Sequence, residues 1–176
     1  LIGERTYFTA DGQVFTDDSF RANFDPVRFV AERRKMHGHT ELWSSKDGVD
    51  WVDPLVHRVE EIDHPVICLN SAESSNYGSY LFRIIPKLLA VRHLVGTVPV
   101  LVMARSEWQR RLLAMFDVPE RNIINHKVTV AYKLKRAIIP ALRNSNAYID
   151  QETRALFRNK AVALGRGDFP NKIFIS

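Results

Sequence analysis

From residue 65 the chain alternates compact apolar runs with stretches of helical period, and this rhythm narrows the fold more than any other feature. Pro65-Val66-Ile67-Cys68-Leu69-Asn70 is apolar between polar neighbours, as expected of a strand buried on both faces of a parallel sheet. Ser74, Ser75 and Asn76 offer capping side chains. A helix is expected from there to about residue 95, with Leu81, Ile84, Ile85, Leu88 and Val91 along one face. Pro86 removes a backbone donor inside it, so a kink or a restart is expected. Residues 98–103 read as the next strand. Ser106 and Gln109 have the spacing of a capping box and open a helix that ends near Phe116. A short strand at 122–125 and a longer one at 129–139 follow. Asp150 caps a last helix that closes at Gly165, and 172–176 is a final strand. Strands separated by helices of this length make an α/β domain with a mostly parallel sheet.

In such sheets ligands sit beyond the carboxyl ends of the strands, near the point where strand order reverses. Neither the glycine-rich dinucleotide fingerprint nor the P-loop pattern occurs, so the domain is Rossmann-like without either signature. The first stretch has a different character. Residues 6–9 and 13–16 flank Asp11-Gly12 as a hairpin, and Asp25-Pro26 opens a short helix at 27–34. Lys46-Asp47-Gly48, between Trp43 and Trp51, marks a second small hairpin. The expected organisation is a β-rich extension with a short helix over 1–60 and a Rossmann-like domain over 61–176.

Charge divides the chain near the same place. Residues 1–75 hold 8 Lys/Arg against 14 Asp/Glu, a balance of −6, whereas residues 76–176 hold 17 against 6, a balance of +11. Hydrophobic residues at 45% and charged residues at 26% exclude a disordered or collagen-like chain. With Cys68 alone, an internal disulfide is excluded as well. That thiol lies inside an apolar strand and reads as an inert buried group. No apolar run approaches the roughly 18 residues of a membrane span. His37, His39, His57, His64, His93 and His126 make no metal-ligand pattern, and Asp47, Asp50 and Asp53 read as a solvated turn.

The most informative segment is Asn76-Tyr77-Gly78-Ser79-Tyr80-Leu81-Phe82-Arg83-Ile84-Ile85-Pro86-Lys87-Leu88. It resembles the Asn-Tyr-x-His-Trp-Leu-x-Asp/Glu-x-Leu-Pro-Arg-Leu segment of one glycosyltransferase family. That family includes bacterial capsular-polysaccharide enzymes, plant xylan-decorating transferases and the extracellular O-linked N-acetylglucosamine transferases. Val100-Leu101-Val102, the 109–124 passage with Pro119-Glu120-Arg121-Asn122-Ile123-Ile124, and Lys172-Ile173-Phe174-Ile175-Ser176 are similar to later segments in the same order. The resemblance covers about residues 60–176. It implies the N-terminal, acceptor-side half of a GT-B-like enzyme, whose activity needs segments beyond Ser176. It further implies a nucleotide-sugar donor, a glycan or polysaccharide acceptor, no bound cofactor and no metal. For a bacterial protein it implies a place in the cytoplasm or at the inner face of the membrane.

Two positions depart from the family pattern. Ser79 stands where the family has histidine, and Arg83 where it has a carboxylate. Histidine and carboxylate at i and i+4 can act as a general base and its orienter. Serine lacks basicity near neutral pH and arginine stays protonated, so no catalytic residue is assigned. Asn76, Tyr77, Ser79 and Arg83 are the candidate substrate-binding residues. For Asn76 a helix cap, and for Tyr77 ordinary packing, are the competing structural roles. The departures also motivate a non-catalytic carbohydrate-binding or assembly module of the same ancestry. The basic half, with Arg105, Arg110, Arg111, Lys127, Lys133, Lys135 and Arg136, suits an anionic donor or polysaccharide. An anionic membrane surface is a further candidate partner. Nucleic acid fits the charge but finds no readable binding motif.

Overall fold

A computed structural model describes residues 6–11, 13–16, 41–46, 49–54, 57–71, 74–143 and 149–163. The expected helix at 27–34, the helix end at Gly165 and the strand at 172–176 lie outside the described residues.

Both hairpins form. Strands β1 (Thr6–Phe8) and β2 (Val14–Thr16) pair antiparallel with Tyr7 opposite Phe15. The Thr9 amide donates to the Gln13 carbonyl at 3.0 Å and closes the first turn. Strands β3 (Glu41–Lys46) and β4 (Val49–Pro54) pair antiparallel with Lys46 opposite Val49.

The α/β unit is built on β5 (Arg58–Cys68), β6 (Val100–Val102), β7 (Ile123–Asn125) and β8 (Val130–Ile138). They form one sheet in the order β7-β6-β5-β8, and every pairing within it is parallel. The chain steps outward from β5 to β6 to β7, then returns to the other side of β5. This is the strand order of half a Rossmann fold, with its switch point between β5 and β8. Residues 126–129 make the return without a helix, a departure from the doubly wound pattern.

β5 begins seven residues before the expected apolar run. Its first part, Arg58–Ile62, is charged and largely exposed, and pairs with β8 alone. Periodicity of apolar residues does not reveal such a strand, because backbone pairing rather than burial holds it. An irregularity between Ile62 and Pro65 separates this ribbon from the buried end. There alternation sorts the side chains onto two faces. Ile67 and Leu69 join Ile84, Ile85, Leu88, Val100, Val102 and Leu113 in one core. Val66 and Cys68 join Leu101, Val130, Tyr132 and Tyr7 in the other. Each aliphatic side chain among them stabilises the fold by roughly 1.5–3 kcal/mol through burial.

The expected long helix is divided. It comprises α1 (Tyr77–Ser79), a π-helical turn (Tyr80–Ile84) and α2 (Lys87–Val91). Pro86 supplies the cause, since it cannot donate to the preceding turn. The Ile85 amide instead reaches the Tyr80 carbonyl at 3.1 Å, five residues back. Gly96, at φ 90°, turns the chain beyond α2. Helix α3 (Glu107–Met115) starts at Ser106, whose amide donates to Gln109 Oε1 at 2.9 Å, the Gln109 half of the expected capping box. A 3-10 turn (Glu120–Asn122) replaces the start of the strand expected at 122. Helix α4 (Gln151–Ala163) is capped by Asp150, whose Oδ1 accepts from the Thr153 amide at 3.1 Å. Arg143 pairs with Asp150 and Glu152 at that end. Phe157 of α4 meets Phe82 and Phe116 edge-on and so ties α4 to the π turn and to the end of α3.

Candidate functional site at the carboxyl end of the sheet

The site grows from the turn that leaves β5. Asn70 and Ser71 are buried directly beyond its carboxyl end. Two basic residues of the following helical segment reach back to them. Arg83 Nε donates to Ser71 Oγ at 3.0 Å. Lys87 Nζ donates to the Asn70 carbonyl at 2.7 Å, and Lys87 is wholly buried. The Tyr7 hydroxyl donates to that same carbonyl at 3.4 Å, bringing the first hairpin to the turn. Arg83 lies within the π turn, and Lys87, four residues on, opens α2. The extra residue in that turn and the restart at Pro86 set the faces from which both cations meet one strand end.

Asn76 is the N-cap of α1, and its Oδ1 accepts from the Ser79 amide at 3.0 Å. The capping role therefore exists, and it orients the turn on which Tyr77 stands. Tyr77 is 57% exposed, whereas Ser79 and Arg83 are half-buried. The ring of Trp108 lies edge-on to Tyr77 at 5.3 Å between centroids and to Tyr80 at 5.2 Å. Tyr80 is buried, and its hydroxyl donates to the Met103 carbonyl at 2.9 Å. Burial pushes the Tyr80 phenol well above its ordinary range, so it remains a donor.

The turns after β5 and β6 are joined by Gln109. Its Nε2 donates to the Ser74 carbonyl at 2.9 Å, while its Oε1 accepts from the Arg105 and Ser106 amides at 2.8 and 2.9 Å. The spacing of Ser106 and Gln109 indicated the capping half of this arrangement. The bond to Ser74, 35 residues earlier, has no local signal. The same holds for Ser71 and Trp108, which sequence reasoning missed as members of the site. Lys87 stood in the motif, but only its contact with Asn70 places it here.

Cys68 lies one strand position before this turn region and is buried. Desolvation pushes its thiol up to about 12, partly offset by the charge of Lys87. It is thus no nucleophile at neutral pH. Among the described residues, no group of three or more His, Cys, Asp or Glu side chains is arranged to hold a metal ion, and no helix is long and apolar enough to cross a membrane. Part of the basic surplus is paired. Arg110 meets Glu120, Arg111 meets Glu107, and Lys133 of β8 meets Glu61 of β5 across the charge boundary. A separate groove of about 580 Å³ runs between α2 and α4, with Arg92, His93, Glu152 and Asn159 among its walls. None of the four predicted residues lines it.

The fold and site define a parallel α/β domain with a polar and aromatic cluster beyond the carboxyl ends of β5 and β6. Comparison of the chain with family models, curated proteins and solved structures finds no match.

Proposed function

We propose that the chain is the acceptor-side α/β domain of a GT-B-like glycosyltransferase, which transfers a sugar from a nucleotide-sugar to a glycan or polysaccharide hydroxyl. The observation that carries this reading is the convergence of Arg83 and Lys87 on residues 70 and 71 at the carboxyl end of β5. These two cations belong to the segment that resembles the transferase family, and they meet at the place where open α/β sheets receive ligands. In this reading Asn76 shapes the turn, and Tyr77, Ser79 and Arg83 line the acceptor side. Donor recognition falls mainly to a second half. Release of free sugar from a nucleotide-sugar panel, with and without glycan acceptors, tests the proposal.

The Ser79 and Arg83 pair favours a second reading, a carbohydrate-binding or assembly module without catalysis. Neither side chain can take a proton from a hydroxyl, and Arg83 is already engaged by Ser71. Glycan binding without any donor turnover would select this module over the enzyme. An anionic membrane or nucleic acid is the third candidate. Ion pairing of Arg110, Arg111 and Lys133 weakens the field such a partner would meet. Retention on heparin that does not change with salt would exclude this electrostatic class.

A further inference from the structure

We propose that Tyr77 and Trp108 form an aromatic ledge that receives a pyranose ring of a neutral glycan, an inference that rests on the glycosyltransferase reading and names its acceptor subsite. Tyr77 opens the helix after β5, and Trp108 lies in the first turn of the helix after β6. These strands are neighbours, so the two rings meet beyond the carboxyl end of the sheet.

The ledge is held in place before any ligand arrives. Trp108 is clasped edge-on by Tyr77 and Tyr80, and Tyr80 is fixed through its hydroxyl to Met103. Asn76 fixes the backbone that carries Tyr77, while Gln109 fixes Trp108's helix to the carbonyl of Ser74. A ring positioned in this way loses little freedom on binding. Its exposed surface suits the C–H face of a pyranose, which presents apolar edges between its hydroxyls. The exposed side chains beside Tyr77 on the same turn, Ser75 and Asn76, are neutral hydrogen-bonding groups that match those hydroxyls. Among the described residues, the other large exposed apolar side chains are Val59, Phe82, Met115 and Val162. Phe82 is committed to Phe157. Tyr77 is therefore the aromatic ring that stands most open to solvent among the described residues.

Isothermal titration calorimetry on the chain, with xylohexaose, cellohexaose, mannohexaose and UDP as probes, tests the ledge. At least one oligosaccharide binds the wild type and Tyr77→Phe alike. Tyr77→Ala then binds it about tenfold more weakly while melting at nearly the same temperature. Equal affinity of Tyr77→Ala and wild type would overturn the inference. So would a lack of binding by all three oligosaccharides. Loss of UDP binding alone in Tyr77→Ala would also overturn it, by making the ledge a base-stacking surface. Failure of the parent reading has a different signature, namely oligosaccharide binding through Tyr77 without sugar release from any nucleotide-sugar.

Discussion

Arg83 Nε donates to the hydroxyl of Ser71 at 3.0 Å, across twelve residues, and fastens the helical segment to the turn leaving β5. Truncating Arg83 removes one donor from the buried hydroxyl of Ser71. Arg83→Ala should weaken acceptor use and also lower stability by about 1 kcal/mol. Ser71→Ala should cost a similar amount. A double-mutant cycle by urea unfolding should give a favourable coupling between the two, whereas additive losses would place Arg83 in solvent.

Gln109 serves three backbone groups on two turns and is 2% exposed. Gln109→Ala should destabilise the fold by about 2 kcal/mol or more, since it strands two amides and a carbonyl. Chemical denaturation measures the loss. A change below about 0.5 kcal/mol would mean that the two turns hold their positions independently.

Asn76→Ala should cost about 1 kcal/mol through loss of the cap to the Ser79 amide, while Asn76→Asp should be nearly neutral. If Asn76 contacts the glycan as well as capping the turn, the two variants will differ in acceptor affinity too. Calorimetry alongside thermal melting separates these roles.

The buried thiol of Cys68 gives a pH signature. Its folded value, about 12, lies above the ordinary value of 9.0. Below pH 9 the thiol is neutral in both states and its contribution is complete. As pH rises from 9 toward 12 the unfolded chain ionises first, so stability falls. The stability of wild type relative to Cys68→Ala should therefore decline over that window and stay constant below it. A constant difference across the window would show that the native thiol ionises freely.

The buried end of β5, both hairpins, the Gln109 half of the Ser106 capping box and the Asp150 cap are legible in the sequence because each rests on neighbours within a few residues. The interruption at Pro86 is legible for the same reason. The π turn that precedes it is not, because no local pattern marks the five-residue reach of the Ile85 amide to the Tyr80 carbonyl. The charged start of β5 escapes notice since its partner, β8, lies about 70 residues away. For the site, Asn76, Tyr77, Ser79 and Arg83 stand out through their order in a motif. Ser71, Trp108 and the Ser74 contact of Gln109 become visible only once β5 and β6 are side by side. The charge boundary keeps a physical trace in the Lys133–Glu61 pair, which joins the basic half to the acidic one across the β5–β8 ribbon.

The most direct test of the transferase proposal is sugar release from a panel of nucleotide-sugars by the full-length protein, read with and without oligosaccharide acceptors. The account predicts release or transfer from at least one donor, reduced in Arg83→Ala and Tyr77→Ala. A folded protein that turns over no donor, and whose melting temperature no donor raises, would contradict it.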